Sequence, residues 1–398
     1  MKIIWTIFRK ELTDSIRDRR TLFTMVIIPL LMFPILIGIS SRMMVSQIRK
    51  AQEKTLIVGL LSNGNAAGLR DKLLSNSKLQ IIEGLDLAEG RALIENDSLE
   101  AYIIIDADFD EDVAENKQGK ISVYYKSSEK NEIEHERILN MVEDYEKELR
   151  RERFAVLGLD QSIIHTIDLG KYNLASIKER LAGSIGGFLP YLFIIFCFTG
   201  SMYPAIDLAA GEKERGTLET LLTSPVGKFE ILLGKFGVVV LTGLISAAIS
   251  IVGMYIGVLQ MKEIPSELMN SILGILETRS IVLLLSLLLP LTAFFAAILL
   301  SLSIIAKSFK EAQSILTPMM IVVIVPAFIG LLPGMELTAT TALIPILNVS
   351  LATKSIIAGN LDVFLMVEVY LSLLLVAGLS LFVCAKIFQS ESNMFRTS

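Results

Sequence analysis

Residues 281–305 read IVLLLSLLLPLTAFFAAILLSLSII, a run of 25 residues without a single charged side chain. A helix needs about 20 apolar residues to cross the ~30 Å hydrocarbon core of a bilayer. The run therefore predicts a membrane-spanning helix. Five comparable runs bring the predicted crossings to six, and they lie at about 21–41, 185–207, 236–259, 312–332 and 363–386.

The composition agrees with a chain that is partly in a membrane and partly in water. Of the 398 residues, 52% are apolar and 20% are charged. A net charge of −5 argues against nucleic-acid binding, which requires a basic face. The two histidines, His135 and His165, both lie outside the apolar runs, and two cysteines cannot form a disulfide framework. We therefore predict no catalytic residue and no metal site.

Lysine and arginine residues predict the orientation. Fourteen of them flank the runs on the side that holds both termini, against three in the two short loops opposite. Basic flanks stay in the cytoplasm, so both termini are predicted to be cytoplasmic, which six crossings allow. The predicted fold is a polytopic α-helical membrane protein, with six transmembrane helices and an inserted extracytoplasmic α/β domain.

Residues 1–20 precede the first crossing and carry an apolar stripe. Ile4, Phe8, Leu12 and Ile16 recur every fourth residue, while charged residues occupy the rest of the helix surface. Such a helix is suited to lie along the membrane interface. We predict a cytoplasmic amphipathic interface helix over 1–20, followed by the first crossing at 21–41.

The inserted region, residues 42–184, contains 20 basic and 26 acidic residues. Apolar runs that end in turn residues predict strands at 55–62, 79–83, 100–105 and 120–126, with helices at 66–76, 86–96 and 130–156 between and after them. Alternating strands and helices predict an α/β domain on a mostly parallel sheet. The acidic run 106–112 lacks the glycine and the last glutamate of an EF-hand, so it predicts a solvated turn.

The remaining part, 185–398, holds the other five crossings and a cytoplasmic loop at 208–235. Within that loop, residues 211–226 read GEKERGTLETLLTSPV. Leu218, Leu221 and Leu222 share one helical face, and Ser224-Pro225 ends the helix. Either this short helix inserts its apolar ridge into a groove on a soluble partner, or the stretch is a loop with a chance cluster of charges.

This stretch resembles the characteristic loop of ABC-2 type transporter permeases. Three further stretches are similar to that family: FRKELTDSIRDRRTLFTMVIIPLLMFP at 8–34, EAYIIIDADFDEDV at 100–113 and KEAQSILTPMMIVVIVPAF at 310–328. The second of these, EAYIIIDADFDEDV, departs from the family pattern, because Asp106-Ala107-Asp108 stands where the family usually has Ile-Pro before the phenylalanine. Within the family, the chain resembles most closely the NatB-type sodium-extrusion permeases.

The resemblance implies a permease homodimer in a bacterial plasma membrane, driven by two copies of a separate ABC ATPase subunit. ATP and Mg²⁺ would bind to that partner, and this chain has no G-x-x-x-x-G-K-[ST] phosphate loop and binds no cofactor itself. Residues 211–224, termed the coupling segment below, would contact the ATPase. The predicted coupling residues are Glu212, Glu214, Arg215, Gly216, Thr217, Leu218, Glu219, Leu221 and Leu222.

Polar residues inside the crossings are candidates for a substrate pathway. They are Thr199, Ser201, Tyr203, Asp207 and Glu368. Sodium is one predicted cargo, and lipids or lipophilic antibiotics are an alternative. A second alternative is a mechanotransmission protein that moves an outer partner without transporting a solute, although such proteins generally have four crossings. An intramembrane hydrolase is disfavoured because the crossings contain no histidine and few acids.

Overall fold

The computed structural model describes residues 2–64, 66–126, 132–159, 188–260, 277–332 and 334–390. The chain divides into two compact units. The first, Met1–Ile39 with Asn173–Ser398, contains the apolar helices, and the second, Ser40–Tyr172, contains a β-sheet.

The sheet of the second unit has four strands in the order β2-β1-β3-β4. Strand β1 pairs in parallel with β2 and β3, whereas β3 and β4 are antiparallel. The strands are β1 Leu56–Ser62, β2 Leu79–Glu83, β3 Ala101–Ile105 and β4 Ile121–Tyr125. Each lies within one residue of its predicted ends. The predicted parallel character therefore holds for two of the three pairings.

Helices cover the sheet because the strands present apolar side chains at alternate positions. Leu56, Val58 and Leu60 of β1 are buried, and Leu69 and Leu73 of the following helix pack on the same core. The helices of this unit are α4 Ala67–Ser75, α5 Leu87–Glu95, α6 Phe109–Ala114 and α7 Glu132–Leu157.

Helix α6 was not predicted, because its acidic sequence suggested a solvated turn. Asp110, Glu111 and Asp112 fill its first turn, where negative charge is favoured by the helix dipole. Both carboxylate oxygens of Asp110 also accept the backbone N–H of Ala66 at 3.0 Å. The acidic run therefore starts a helix and ties it to the loop after β1.

Among the described residues, six helical stretches are long and apolar enough to cross a membrane: Arg19–Glu53, Phe188–Glu214, Lys228–Leu259, Thr278–Ile305, Phe309–Ile329 and Val363–Gln389. They agree in number and place with the six predicted crossings, although 185–187 lie outside the described residues. The side of the membrane on which the sheet lies stays a prediction.

The first unit begins with helix α1, and its first two crossings each contain a π-helical turn. The helices are α1 Lys2–Arg17, α2 Arg19–Leu22, α3 Ile28–Glu53, α8 Phe188–Ile206, α9 Glu212–Glu214, α10 Thr217–Leu222, α11 Lys228–Leu259, α12 Thr278–Ile305, α13 Phe309–Ile329, α14 Ala339–Ala342, α15 Leu347–Ala358 and α16 Val363–Gln389. The π-helical turns are Phe23–Ile27 and Asp207–Gly211.

Helix α8 is the most buried crossing and packs against α11, α12 and α13. Helix α11 in turn contacts the first crossing at Gly253, where a Cβ atom would lie 2.6 Å from the carbonyl oxygen of Leu30. Such close backbone approach is typical of membrane helix pairs with small residues at the contact.

A short apolar helix, α15, lies between the fifth and sixth crossings, where the sequence predicts only a loop. Its 12 residues are too few to span a bilayer. It is buried against α8, α12 and α13, and its Asn348 donates to the carbonyl of Ala342 at 2.9 Å. A run of this length gave no transmembrane signal, so only tertiary packing reveals it.

Candidate functional site

The coupling segment, residues 211–224, reverses direction at Gly216. This glycine has φ +72°, in the left-handed region that other residues adopt at a cost. Helix α9 precedes it and helix α10 follows it, so the chain forms two short helices joined by a tight turn.

Glu214 joins the coupling segment to the fifth crossing. Its Oε2 accepts the backbone N–H of Phe309, the first residue of α13, at 2.7 Å. The first N–H groups of a helix have no partner within the helix. A carboxylate at this place satisfies one of them and also interacts favourably with the helix dipole.

Arg215 folds back onto the second crossing. Its Nη1 lies 2.8 Å from Oδ1 of Asp207, and this hydrogen bond raises the pKa of the Arg215 guanidinium, although burial acts in the opposite direction. Gly211 lies directly beneath, since a Cβ there would be 2.8 Å from the same carboxylate oxygen. Asp207, a predicted pathway residue, is thus paired with a predicted coupling residue.

Two further contacts hold the segment. Lys213 reaches the carbonyl oxygen of Ile304, near the end of α12, at 3.4 Å. The hydroxyl of Thr217 donates to the carbonyl of Glu212 at 3.2 Å, across the Gly216 turn. The segment is therefore connected to the ends of α8, α12 and α13.

Glu212 belongs to a buried group of charges that the sequence analysis did not identify. Its Oε2 lies 2.6 Å from Nζ of Lys235 in α11, and Oε1 of Glu11 in α1 lies 3.7 Å from the same nitrogen. These three side chains, the buried ion cluster, are 1 to 5% exposed. Nζ of Lys235 also donates to the carbonyl of Leu208 at 2.8 Å.

Lys10 brings a second positive charge to this cluster from the surface. Its Nζ lies 3.0 Å from Glu11 and 4.0 Å from Glu212. Burial lowers the pKa of Lys10, but the hydrogen bond and charge of Glu11 outweigh it, so the pKa is raised. Two ammonium groups thus face two carboxylates.

The cluster joins three parts of the chain, because Glu11 comes from α1, Lys235 from α11 and Glu212 from the coupling segment. Helix α1 packs closely here: a Cβ at Gly234 would lie 2.7 Å from Cγ2 of Ile7. The predicted apolar stripe of α1 therefore packs on α11, except for Ile16, which is exposed.

The leucine ridge lies differently from the prediction. Leu218 is 2% exposed and Leu221 is partly buried, and Leu221 packs on the core of this chain. The side chain of Leu222 lies outside the described residues. Helical spacing predicts that the leucines share one face of a helix. It does not predict that this face packs on the core of the same chain. The exposed residues of the segment are polar, with Glu219 and Thr220 on α10.

The predicted pathway residues of α8 divide into two groups. Thr199, Tyr203 and Asp207 belong to a half-exposed stripe, which Tyr191 and Ile195 extend at every fourth residue. Ser201 instead is fully buried, and its hydroxyl donates to the carbonyl of Val239 in α11 at 3.1 Å.

Thr199 uses its hydroxyl as a donor to Ile195 of its own helix, at 2.9 Å. The described residues therefore do not bring the hydroxyls of Thr199 and Ser201 to one point. Glu368 lies half-buried on α16, and its Oε2 has no hydrogen-bond partner in the described part of the chain. No hydrogen bond joins it there to the residues of α8.

Two residues of the buried ion cluster, Lys235 and Glu11, are charged residues within apolar patterns of the sequence. Lys235 opens the apolar run at 236–259 and follows Ile231 and Leu232, so it is a charge within an apolar stretch. Glu11 lies four residues after Ile7, on the apolar side of α1. A charge on an apolar face predicts a buried partner, but the sequence does not name that partner.

Comparison with known proteins gives one full-length relative. The protein named ABC transporter permease protein NatB, from Bacillus subtilis (strain 168), is 25% identical over 362 residues, which cover 89% of this chain and 90% of that protein. The family described as "ABC-2 family transporter protein" matches residues 19–385. This range includes the coupling segment, the first five apolar helices and most of the sixth. The chain belongs to the ABC-2 family of transporter proteins.

Proposed function

We propose that this chain is the permease subunit of an ATP-driven exporter, and that a separate ATPase moves it through the coupling segment. The observation that carries the proposal is the set of contacts that this segment makes with the membrane-spanning helices. Glu214 accepts a hydrogen bond from the first residue of α13. Arg215 pairs with Asp207, which follows α8, and Glu212 pairs with Lys235 of α11. A displacement of the segment would therefore move several crossings at once.

The exposed polar residues of the segment would contact the ATPase, and the motion of the ATPase would reach the permease through them. Glu219 is exposed on α10, whereas Leu218 of the same helix is buried in this chain. In this arrangement the ATPase touches a polar surface, and the leucines fix that surface to the bundle. Glu212 then acts by positioning the segment instead of touching the partner.

The assembly would contain two permease chains and two ATPase subunits, as in the family that this chain resembles. ATP and Mg²⁺ would be held by the ATPase. The half-exposed stripe of α8, with Thr199 and Tyr203, would face the pathway between the two permeases. Sodium is the proposed cargo, because hydroxyl oxygens suit a hard cation.

The coupling role is tested by replacing Glu214 and Arg215 with alanine in the complex with its ATPase. The loss of both links to α8 and α13 should abolish ATP-driven transport while the chain stays in the membrane. The matched control is Arg49→Ala with Glu53→Ala, an exposed ion pair at 2.8 Å in the other unit. Undiminished transport in the Glu214→Ala/Arg215→Ala variant contradicts the proposal.

The cargo is tested separately in sealed vesicles that contain the complex. ATP should drive the movement of ²²Na⁺, and a lipophilic dye should not compete. Transport of the dye without sodium movement would instead assign a lipophilic cargo and leave the coupling role intact.

A further inference from the structure

A shallow cleft opens at the start of the first crossing. Arg19, Arg20, Phe23, Thr24 and Tyr203 line it. Both arginines and Phe23 are exposed, and Tyr203 of α8 is half-buried. One part of the cleft is therefore basic and the other aromatic. Neither part belongs to the coupling segment, although Tyr203 is also part of the α8 stripe that would face the proposed pathway.

The basic part keeps a positive charge. Asp18, the nearest acid in sequence, caps α2: its carboxylate accepts the backbone N–H groups of Arg20 and Thr21 and the hydroxyl of Thr21. Asp207, one turn from Tyr203, is paired with Arg215. No ion pair to Arg19 or Arg20 occurs among the described residues. These two acids, Asp18 and Asp207, are thus both occupied by other partners.

An apolar stripe continues from the cleft along the crossing. Phe23, Ile27, Leu31, Ile35 and Ile39 recur at every fourth residue, and each is at least 40% exposed. At a rise of 1.5 Å per residue the stripe is about 24 Å long, which exceeds the ~15 Å depth of one leaflet. An acyl chain that starts at Phe23 would find apolar side chains over its whole length.

We infer that this cleft is a binding site for an anionic phospholipid, whose phosphate pairs with Arg19 and Arg20 and whose acyl chain lies along the Phe23–Ile39 stripe. Guanidinium groups bind phosphate through paired hydrogen bonds. Arginines at the end of a crossing lie at the level of lipid headgroups. A phospholipid would contact both the arginines and the stripe, whereas a soluble phosphate ester would contact the arginines alone.

The test uses the full chain in nanodiscs and a single fluorescent probe. Trp5 is the chain's one tryptophan, so Trp5→Phe with Phe23→Trp places the probe in the cleft. Brominated phosphatidylglycerol and brominated phosphatidylcholine are compared at equal mole fraction. Phosphatidylglycerol should quench more strongly. Arg19→Gln with Arg20→Gln should reduce this preference by roughly five-fold for each arginine.

The matched control is Arg42→Gln with Arg49→Gln, which removes the same charge further along α3 and should keep the preference. Added inorganic phosphate should leave the quenching unchanged. Equal quenching by the two lipids, or an unaltered preference in the Arg19→Gln/Arg20→Gln variant, overturns the inference. Loss of quenching on addition of phosphate would assign the arginines to a soluble ligand and overturn it as well.

Discussion

Lys235 is 1% exposed, and taking an ammonium group out of water is costly unless other polar groups replace the water. Glu212 at 2.6 Å and the carbonyl of Leu208 at 2.8 Å do so. A buried ion pair adds little net stability compared with apolar residues, but the removal of one partner leaves an uncompensated charge. Each member of the cluster is therefore sensitive to the loss of another.

Lys235→Met should lower the stability of the permease by about 3–5 kcal/mol, because Glu212 and Glu11 then remain buried with only Lys10 near them. Thermal unfolding of the purified chain in detergent measures the change. Lys10→Met is the control, since Lys10 is largely exposed and should cost much less.

The same measurement on Lys235→Met with Glu212→Gln tests the pairing itself. The second substitution removes the unpaired charge, so the double variant should be more stable than Lys235→Met alone. Additive losses would show that Lys235 and Glu212 do not interact.

At the scale of single residues, the sequence indicated which stretch is unusual but not which residues its side chains contact. The stretch 211–226 stood out because charges, a glycine and a leucine ridge follow one another within 16 residues. The pairing of Glu212 with Lys235 joins positions 23 residues apart, and that of Glu214 with Phe309 joins positions 95 apart. Such contacts depend on helix packing, which no local pattern encodes.

Helix α1 depends on two glycines of α11 for its position. A Cβ at Gly234 would lie 2.7 Å from Ile7, whereas at Gly237 the closest atom, on the ring of Phe8, would be 3.2 Å away. The helix gains about 1 kcal/mol from either Gly→Ala change. The difference between the two variants therefore reports the docking of α1.

Gly234→Ala should displace α1, and hydrogen exchange of the amides in residues 2–17 should rise. Gly237→Ala should leave the exchange close to that of the unaltered chain, because the Phe8 ring can yield. Equal exchange in the two variants would contradict the close packing of α1 on α11.

Elements were predictable where their ends carry a local signal. The four strands are apolar runs bounded by turn residues, and the structure places each within one residue of its prediction. Helix α6 and helix α15 were missed for different reasons. The first depends on a carboxylate that caps a distant loop, and the second is an apolar stretch whose length fits neither a strand nor a crossing.

At the scale of the whole molecule, the described part of the chain has six apolar helices of sufficient length, and their number followed from hydropathy alone. The side on which each loop lies was predicted from the distribution of lysine and arginine. Because the second crossing lies between the sheet and the coupling segment in sequence, one labelling experiment can locate both.

The labelling uses a chain without its own cysteines, Cys197→Ala with Cys384→Ala, both of which are buried. A cysteine at Ala107 should react with an impermeant maleimide in intact cells, since the sheet unit is predicted to be outside. A cysteine at Thr223 should react only after permeabilisation. Both positions are exposed, and reaction of Thr223→Cys in intact cells would reverse the predicted orientation.

The π-helical turn Asp207–Gly211 determines how the residues directly after it are rotated around the helix axis. A π-helical turn closes its hydrogen bonds over five residues instead of four, so it holds one residue more than an α-helical turn. If the same residues continued as a regular α-helix, the next part of the chain would be rotated by about 100° around the axis. Glu212 would then point away from Lys235, and Arg215 away from Asp207. The one extra residue of the π-helical turn therefore keeps the start of the coupling segment in register with its partners on α11 and in the second crossing.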